Sequence, residues 1–440
     1  MKKFLCLILV LVMCVALVAC AQDDSAAEAV EGEFGHPVTN ELIVWSFMNE
    51  GEPIGLWHQQ AAAYFEEHFP DVRVEVQMRG RAVVAQYRAI LGDPNSPDFP
   101  DIIMQSDDLL EGLAREGLIR NLDAYVSGPA WNSDQVWGST FMPYFWDLIQ
   151  IDGSHYFVPE SLYTNGWFYD AALFRELGLS VPETWEEFLD VAETLKANNI
   201  YPVALDGMLD YYNTWFFTAI AMRLAGPDAV WSAFTGETRF ADDPVFLEAA
   251  RLTAEFWDRG LFQPGAEGSN FPAAQALITQ GTAGMIHVGA WFPAEMSDVT
   301  PPDFEMRMFP FPSLPGEQYS NLVELWANSQ AITTGARNVH NAINWLRIIS
   351  SAEIQERKVA VYDASAVIGV TLPVQLGNLF DIIENSEHTT TVRADIQSAG
   401  APTNNAYAPL LTELLLGQIS PEDFIAAIDD RLAAEWRNVE

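Results

Sequence analysis

The sequence predicts an α/β protein: helix-flanked, mainly parallel sheets, with length enough for two packed lobes. Short apolar strand runs alternate with helical patterns along the chain, the arrangement that covers a parallel sheet with helices. Beyond the first 39 residues about 400 remain, 49% hydrophobic over the whole chain, which suffices for two domains. No later apolar run is long and uncharged enough to cross a bilayer.

Leu42-Ile43-Val44-Trp45 predicts a short buried strand. Over 54–69 a helix is expected, with Trp57, Ala61, Tyr64, Phe65 and His68 on one face. Val72, Val74 and Val76 alternate with Arg73, Glu75 and Gln77, the period of a half-buried strand. Ile102-Ile103-Met104 predicts another strand, followed by a helix over 107–116 that stops at Gly117. Thr184 and Glu187 form a capping box at the start of a helix whose buried face is Phe188, Ala192 and Leu195. Pro301, Pro302, Pro310, Pro312 and Pro315 crowd a strand-and-loop stretch where the chain is expected to pass between lobes. Ser420-Pro421-Glu422-Asp423 starts a last helix lined by Phe424, Ile428, Leu432 and Trp436.

Residues 1–19 read as a secretory signal. Lys2 and Lys3 precede a continuous apolar run from Phe4 to Val18, too short for a membrane span. Leu17-Val18-Ala19-Cys20 has the form of a bacterial lipobox, in which Cys20 is lipidated and becomes the mature N-terminus. Cys6 and Cys14 leave with the signal, so one cysteine remains and no disulfide is expected. Small, acidic residues 20–39 then serve as a flexible tether. The expected location is the cell envelope, on its periplasmic or extracellular face, held to the membrane through the lipid alone.

Charge excludes one class of partner. With 22 basic against 61 acidic residues and a formal net charge of −39, the surface repels nucleic acid. The acid is scattered, as suits a solvated surface.

Catalytic signatures are scarce. There is no G-x-S-x-G, H-E-x-x-H or Walker loop, and the seven histidines lack ligand spacing. No metal or cofactor is expected. Tyr211-Tyr212 would suit ferric iron, but Asn213 and Trp215 beside them suit a polar organic ligand better. Trp131, Trp167, Trp215, Trp291 and Trp326 stand next to turn residues. A flat aromatic ring can cover the C–H face of a sugar while Asp, Glu, Asn and Gln bond its hydroxyls.

"LIVWSFMNEGE" at 42–52, "SPDFPDIIMQSDDLLEGLAREGLIRNLDAY" at 96–125 and "YFVPESLYTNGWFYDAALFRELGLSVPETWEEFLDVAETLK" at 156–196 carry a resemblance. "GTAGMIHVGAW" at 281–291 and "ANSQAITTGARNVHNAINWLRIISSAEIQE" at 327–356 complete it. Over residues 40–440 the chain resembles extracellular solute-binding proteins of ABC importers, in the carbohydrate-binding group that includes maltodextrin binders. The resemblance implies a periplasmic-binding-protein-like monomer: two α/β lobes, a hinge, and a ligand cleft between them. It implies crossings near Phe157–Glu160, Met306–Phe309 and Ser351. Lobe 1 would then be 40–158 plus 308–351, and lobe 2 159–307 plus 352–440.

The implied partners are a carbohydrate and the permease subunits of an importer. The implied cleft residues are Ser46, Asn49 and Glu50 after the first strand, Gln105, Asp107 and Asp108 after the third, and Glu160 in the crossing. Trp291 matches the aromatic that stacks on the sugar, with Gly289 letting ligand approach the backbone. Asn213, Trp215, Glu324, Trp326 and Tyr407 complete the candidate set. Gln105 replaces an aromatic, Leu109 an arginine, and "WFYD" a Tyr-Asn-Lys-Asp element, so the resemblance does not extend to maltose itself. The alternatives are a binder of a non-sugar solute, a sensor, or a secreted carbohydrate-active enzyme.

Overall fold

The computed structural model describes residues 39–208, 210–391 and 402–439. The signal, Cys20 and nearly all of the tether lie outside them. Its strands are β1 (Glu41–Ser46), β2 (Arg73–Met78), β3 (Ile102–Ser106), β4 (Val158–Pro159) and β5 (Tyr163–Asp170). They continue as β6 (Tyr201–Val203), β7 (Ala283–Gly289), β8 (Met306–Phe309), β9 (Leu322–Trp326), β10 (Asn328–Ile332) and β11 (His388–Thr391).

Two sheets divide these strands. The first has the order β2-β1-β3-β10-β4, and the second runs β11-β9-β5-β7-β6 with β8 also on β5. β1 is parallel to both β2 and β3, with Val44 opposite Val76 and Ile102. The alternating strand and helix patterns at 42–116 foretold that half. β10 closes it in the antiparallel sense, Gln330 opposite Met104. In the second sheet β5 is antiparallel to β7, β8 and β9, while β6–β7 and β9–β11 are parallel.

Apolar helix faces close both sheets. The Pro53–His68 helix buries Trp57, Ala61 and Phe65, and the Val339–Ile349 helix buries Ile343, Trp345 and Leu346. In the second lobe, helices Asp210–Ala225, Pro244–Asp258, Pro402–Leu415 and Pro421–Val439 share a core with β5 and β7. The capping box forms as expected: the Glu187 amide donates to Thr184 Oγ1 at 3.3 Å, and Glu187 Oε2 accepts from the Thr184 amide at 3.2 Å. Ser420 Oγ likewise accepts from the Asp423 amide at 3.1 Å.

The chain passes from the first sheet to the second through Glu160–Leu162, between β4 and β5. The return corrects the expected crossing at Met306–Phe309. That segment is β8, paired with β5 deep in the second lobe, Phe168 opposite Met308. The crossing falls at Ala327, the single residue between β9 and β10. It is clamped there: the Asp107 amide donates to the Ala327 carbonyl at 2.9 Å, and the Ala327 amide to Asp107 Oδ2 at 3.1 Å. The proline-rich stretch is therefore a loop of the second lobe, where the Ser313 amide donates to the Glu183 carbonyl at 2.9 Å.

Ser351 is also no crossing. Beyond it, Trp57 Nε1 donates to the Ile354 carbonyl and Tyr64 Oη to Glu353 Oε2, while the Met142 amide donates to the Ala366 carbonyl. Residues 352–367 thus remain on the first lobe, and the chain rejoins the second sheet at β11. Among the described residues no helix is long and apolar enough to cross a membrane.

Candidate functional site

Five aromatic rings converge where β5 begins and β7 and β9 end, beside the lobe crossing. Trp291 meets Trp215, Trp326 and Tyr163 at centroid distances of 5.6, 5.7 and 5.7 Å, each edge to face. Tyr212 stacks on Trp215 at 4.8 Å, and Trp215 on Trp326 at 6.3 Å. Trp326 and Tyr163 face each other in the β5–β9 ladder. The Asp210–Ala225 helix supplies Tyr212 and Trp215 one turn apart in space. Trp215, Trp326 and Tyr163 are buried, whereas Trp291 and Tyr212 keep partly open faces.

The small residues before Trp291 have a different purpose from the one expected. A Cβ on Gly289 would stand 1.8 Å from Cζ3 of Trp291. The indole folds back over Gly289, so the glycine accommodates its own tryptophan rather than a ligand. Trp291 caps β7 at the first turn of the Phe292–Glu295 helix, which turns the chain sharply enough to lay the ring back.

One helical turn later, Glu295 Oε2 accepts from Gln275 Nε2 at 3.1 Å. Burial pushes the Glu295 carboxyl up to about 7, opposed by Gln275 and by the Arg81 cation, while Glu52 adds to the rise. Both of those charges come from the first lobe. Arg81 holds Glu52 through two bonds of 3.1 Å and lies 4.9 Å over the Phe47 ring. Arg79 lies 4.2 Å over Trp45. Of the two arginines, it is Arg81, in the loop after β2, whose charge reaches Glu295 and Tyr212 at the chamber.

The predicted residues separate into three groups. Trp215, Trp291 and Trp326 build the chamber. Gly289 supports it, and Glu324 lies two residues before Trp326, lining with Asn165, Thr218 and His287 a cavity behind Trp215. Asn49 and Glu50 are exposed on the first-lobe loop, where Asn49 Nδ2 donates to Glu52 Oε1 at 2.5 Å. Asp108 lines a groove with Glu111 and Gln150 opposite Thr391 of the second lobe.

The rest are held by the protein itself. Ser46 is fully buried and its Oγ accepts from the Met48 amide at 3.2 Å. Gln105 Oε1 accepts from the Ser106 amide at 2.8 Å. Both oxygens of Asp107 accept backbone amides, those of Asp108 and Ala327, and burial raises its pKa well above the usual range. Glu160 is 1% exposed, with Oε2 bonded to His58 Nε2 at 2.9 Å and Gln330 Nε2 at 2.5 Å. Asn213 Nδ2 donates to the Gly207 carbonyl and Thr412 Oγ1. Tyr407 packs on Phe234 inside the helical layer. Both contacts fasten one helix to another, Asn213 by a polar bond to Thr412 and Tyr407 by ring packing. Trp131 packs on His68 and Phe69, and Trp167 lies in the second-lobe core among Phe188, Phe256 and Phe309. His287 is buried there too, its pKa lowered to about 3 by burial and by Arg223. Tyr163, Tyr212, Arg81 and Glu295 were not among the predicted ligand contacts. The YY-N-T-W spacing pointed at Tyr212; nothing local pointed at the other three.

Among the described residues no group of three or more His, Cys, Asp or Glu could hold a metal ion. Residues 51–356 match the bacterial extracellular solute-binding protein family.

The chain belongs to that family.

It is a family of binding proteins rather than of enzymes. This solute-binding protein is 24% identical over 311 residues to a multiple sugar-binding protein of Streptococcus mutans, 67% of each chain. It is 27% identical over 148 residues to the diacetylchitobiose-binding protein NgcE of Streptomyces coelicolor. That match spans 33% of this chain and 31% of that relative. Among solved structures, a chitin oligosaccharide binding protein has a TM-score of 0.72 at 18% identity, over 91% of this chain and 100% of the other. The apo form of RafE from Streptococcus pneumoniae has a TM-score of 0.70 at 17% identity, over 90% and 98%. RafE in complex with raffinose has a TM-score of 0.72. These likenesses establish the two-lobed receptor fold of the solute-binding protein.

Proposed function

We propose that the protein captures a sugar or short oligosaccharide between its lobes and delivers it to an ABC importer. The observation that carries this reading is the aromatic chamber: Trp291 and Tyr212, partly open, over Trp215, Trp326 and Tyr163. Such a surface suits the C–H face of a sugar ring. Glu52, Arg81 and Glu295 at its rim offer acceptors and donors for hydroxyls. The ligands named for the relatives, multiple sugars and diacetylchitobiose, support the same class. The test is a thermal-shift screen with raffinose, chito-oligosaccharides and xylo-oligosaccharides. A ligand at 100 times its Kd stabilises by about 2.7 kcal/mol. No shift with any saccharide, beside a shift with a peptide or amino acid, would overturn the sugar reading.

We further propose export with lipid attached at Cys20. The support is the charged start, apolar run and Leu-Val-Ala-Cys ending. Cys20→Ser should move the protein from the membrane fraction to the soluble fraction; unchanged membrane association would refute the anchor.

A further inference from the structure

Behind the aromatic chamber lies a buried ionic network that no ligand contact requires. Lys358 is fully buried and spends its three N–H donors on the Glu160 carbonyl at 2.8 Å, Ser161 Oγ at 2.9 Å and Asp363 Oδ2 at 2.7 Å. Its ammonium also lies 4.6 Å over the Trp57 ring. Asp363, 1% exposed, accepts from Ser161 Oγ through Oδ2 and from Tyr163 Oη through Oδ1, both at 2.8 Å. Tyr163 Oη in turn accepts from Asn328 Nδ2 at 3.2 Å. Every member sits on or against a lobe crossing: Glu160 and Ser161 in one, Asn328 directly after Ala327 in another.

Stability alone is a poor reason for such a cluster. Desolvating two charges costs several kcal/mol each, and apolar residues of the same volume often do as well. What the pair does provide is geometry. The Tyr163 ring stands at 90° to Trp291. Its hydroxyl is the only polar atom by which that ring can be held, and Asp363 takes it.

We propose that Asp363, held by Lys358, is a positioning residue: it fixes the Tyr163 ring as a wall of the aromatic chamber and so sets the place of Trp291. The ring cannot swing about its Cα–Cβ bond without breaking its bond to Asp363, and Asp363 cannot follow it without giving up its 2.7 Å ion pair with Lys358. The shape of the chamber is thereby tied to two of the crossing segments about which the lobes must move. The inference concerns affinity only insofar as the chamber is the binding site, and rests on that reading there.

The experiment uses the protein labelled with 5-fluorotryptophan, the Trp291 resonance being the one that Trp291→Phe removes. Tyr163→Phe removes the donor of the bond, and Asp363→Asn removes the charge of its acceptor. Both should shift the Trp291 resonance in the ligand-free protein, and the double variant should shift it no further. Tyr87→Phe is the control, since Tyr87 is an equally buried tyrosine whose hydroxyl donates to the Leu118 carbonyl at 2.8 Å in the first lobe. It should lower the melting temperature and leave Trp291 alone. Should Asp363→Asn fail to fold, Tyr163→Phe still reports the loss of the bond. With raffinose or diacetylchitobiose as probe, both variants should bind about tenfold more weakly, the loss of one charge-assisted hydrogen bond. An unmoved Trp291 resonance in Tyr163→Phe, or an equal movement in Tyr87→Phe, would overturn the positioning role. Failure of every saccharide tried to bind the unaltered protein would count against the sugar reading and leave the resonance result standing.

Discussion

A Cβ at position 289 would stand 1.8 Å from Cζ3 of Trp291, and the indole is ringed by Tyr163, Tyr212, Trp215 and Trp326. Because Trp291 is only partly buried, its removal should fall on binding more than on folding. Trp291→Ala should weaken saccharide binding by about 2 kcal/mol or more, the scale of a binding hot spot. The stability loss should stay below the roughly 3–5 kcal/mol of a fully buried aromatic. Calorimetric titration and urea unfolding of one preparation measure both; a large stability loss with affinity intact would make it a core residue. Glu295, one turn on, titrates near physiological pH. Its carboxyl moves from an ordinary 4.5 up to about 7 in the folded protein. An acid raised on folding lends stability that is full below pH 4.5 and lost as pH rises through about 7. Glu295→Gln should remove that decline, so the gap in melting temperature between variant and parent should widen in the variant's favour from pH 4.5 to 7.5. A constant gap would show that Glu295 does not titrate there.

At the level of elements, the signals that survived were those whose cause is local. The Thr184 capping box satisfies two otherwise orphaned amides, a need that arises within four residues whatever surrounds the helix. Thr184→Ala should cost about 1 kcal/mol in urea unfolding. No change in midpoint would mean that neighbouring groups or water replace the cap. Strand direction is another matter. Tyr163–Asp170 reads as an apolar strand in either sense, and its three antiparallel neighbours come from residues 285–289, 306–309 and 325–326. Nothing within its eight residues names them.

For the whole molecule, the chain joins the two lobes at Glu160–Leu162, at Ala327 and again in the stretch between residue 367 and β11, connections about which the lobes can turn. A ligand touched from both sides favours the closed arrangement by its extra contacts. Small-angle scattering should therefore show a smaller radius of gyration with a saturating sugar than without. An unchanged radius at saturation verified by calorimetry would argue against closure. Bonds that hold the first two connections, from Lys358 to Glu160 and from Asn328 to Tyr163, would have to persist or break together in such a movement.

The sequence by itself determined the α/β class, the position of most early strands and helices, both capped helix starts and a set of five candidate tryptophans. Periodicity, caps and turns act over a few residues, so they can be read from a few residues. The tertiary structure alone decided which of those tryptophans meet: Trp215, Trp291 and Trp326 converge, while Trp167 fills the core and Trp131 packs on the first lobe. It also turned Glu160 and Asp107 from ligand candidates into clamps, because their partners, His58, Gln330 and Ala327, lie between 102 and 220 residues away. A carboxylate's role depends on whether a donor already occupies it, and folding brings those donors from distant segments of the chain.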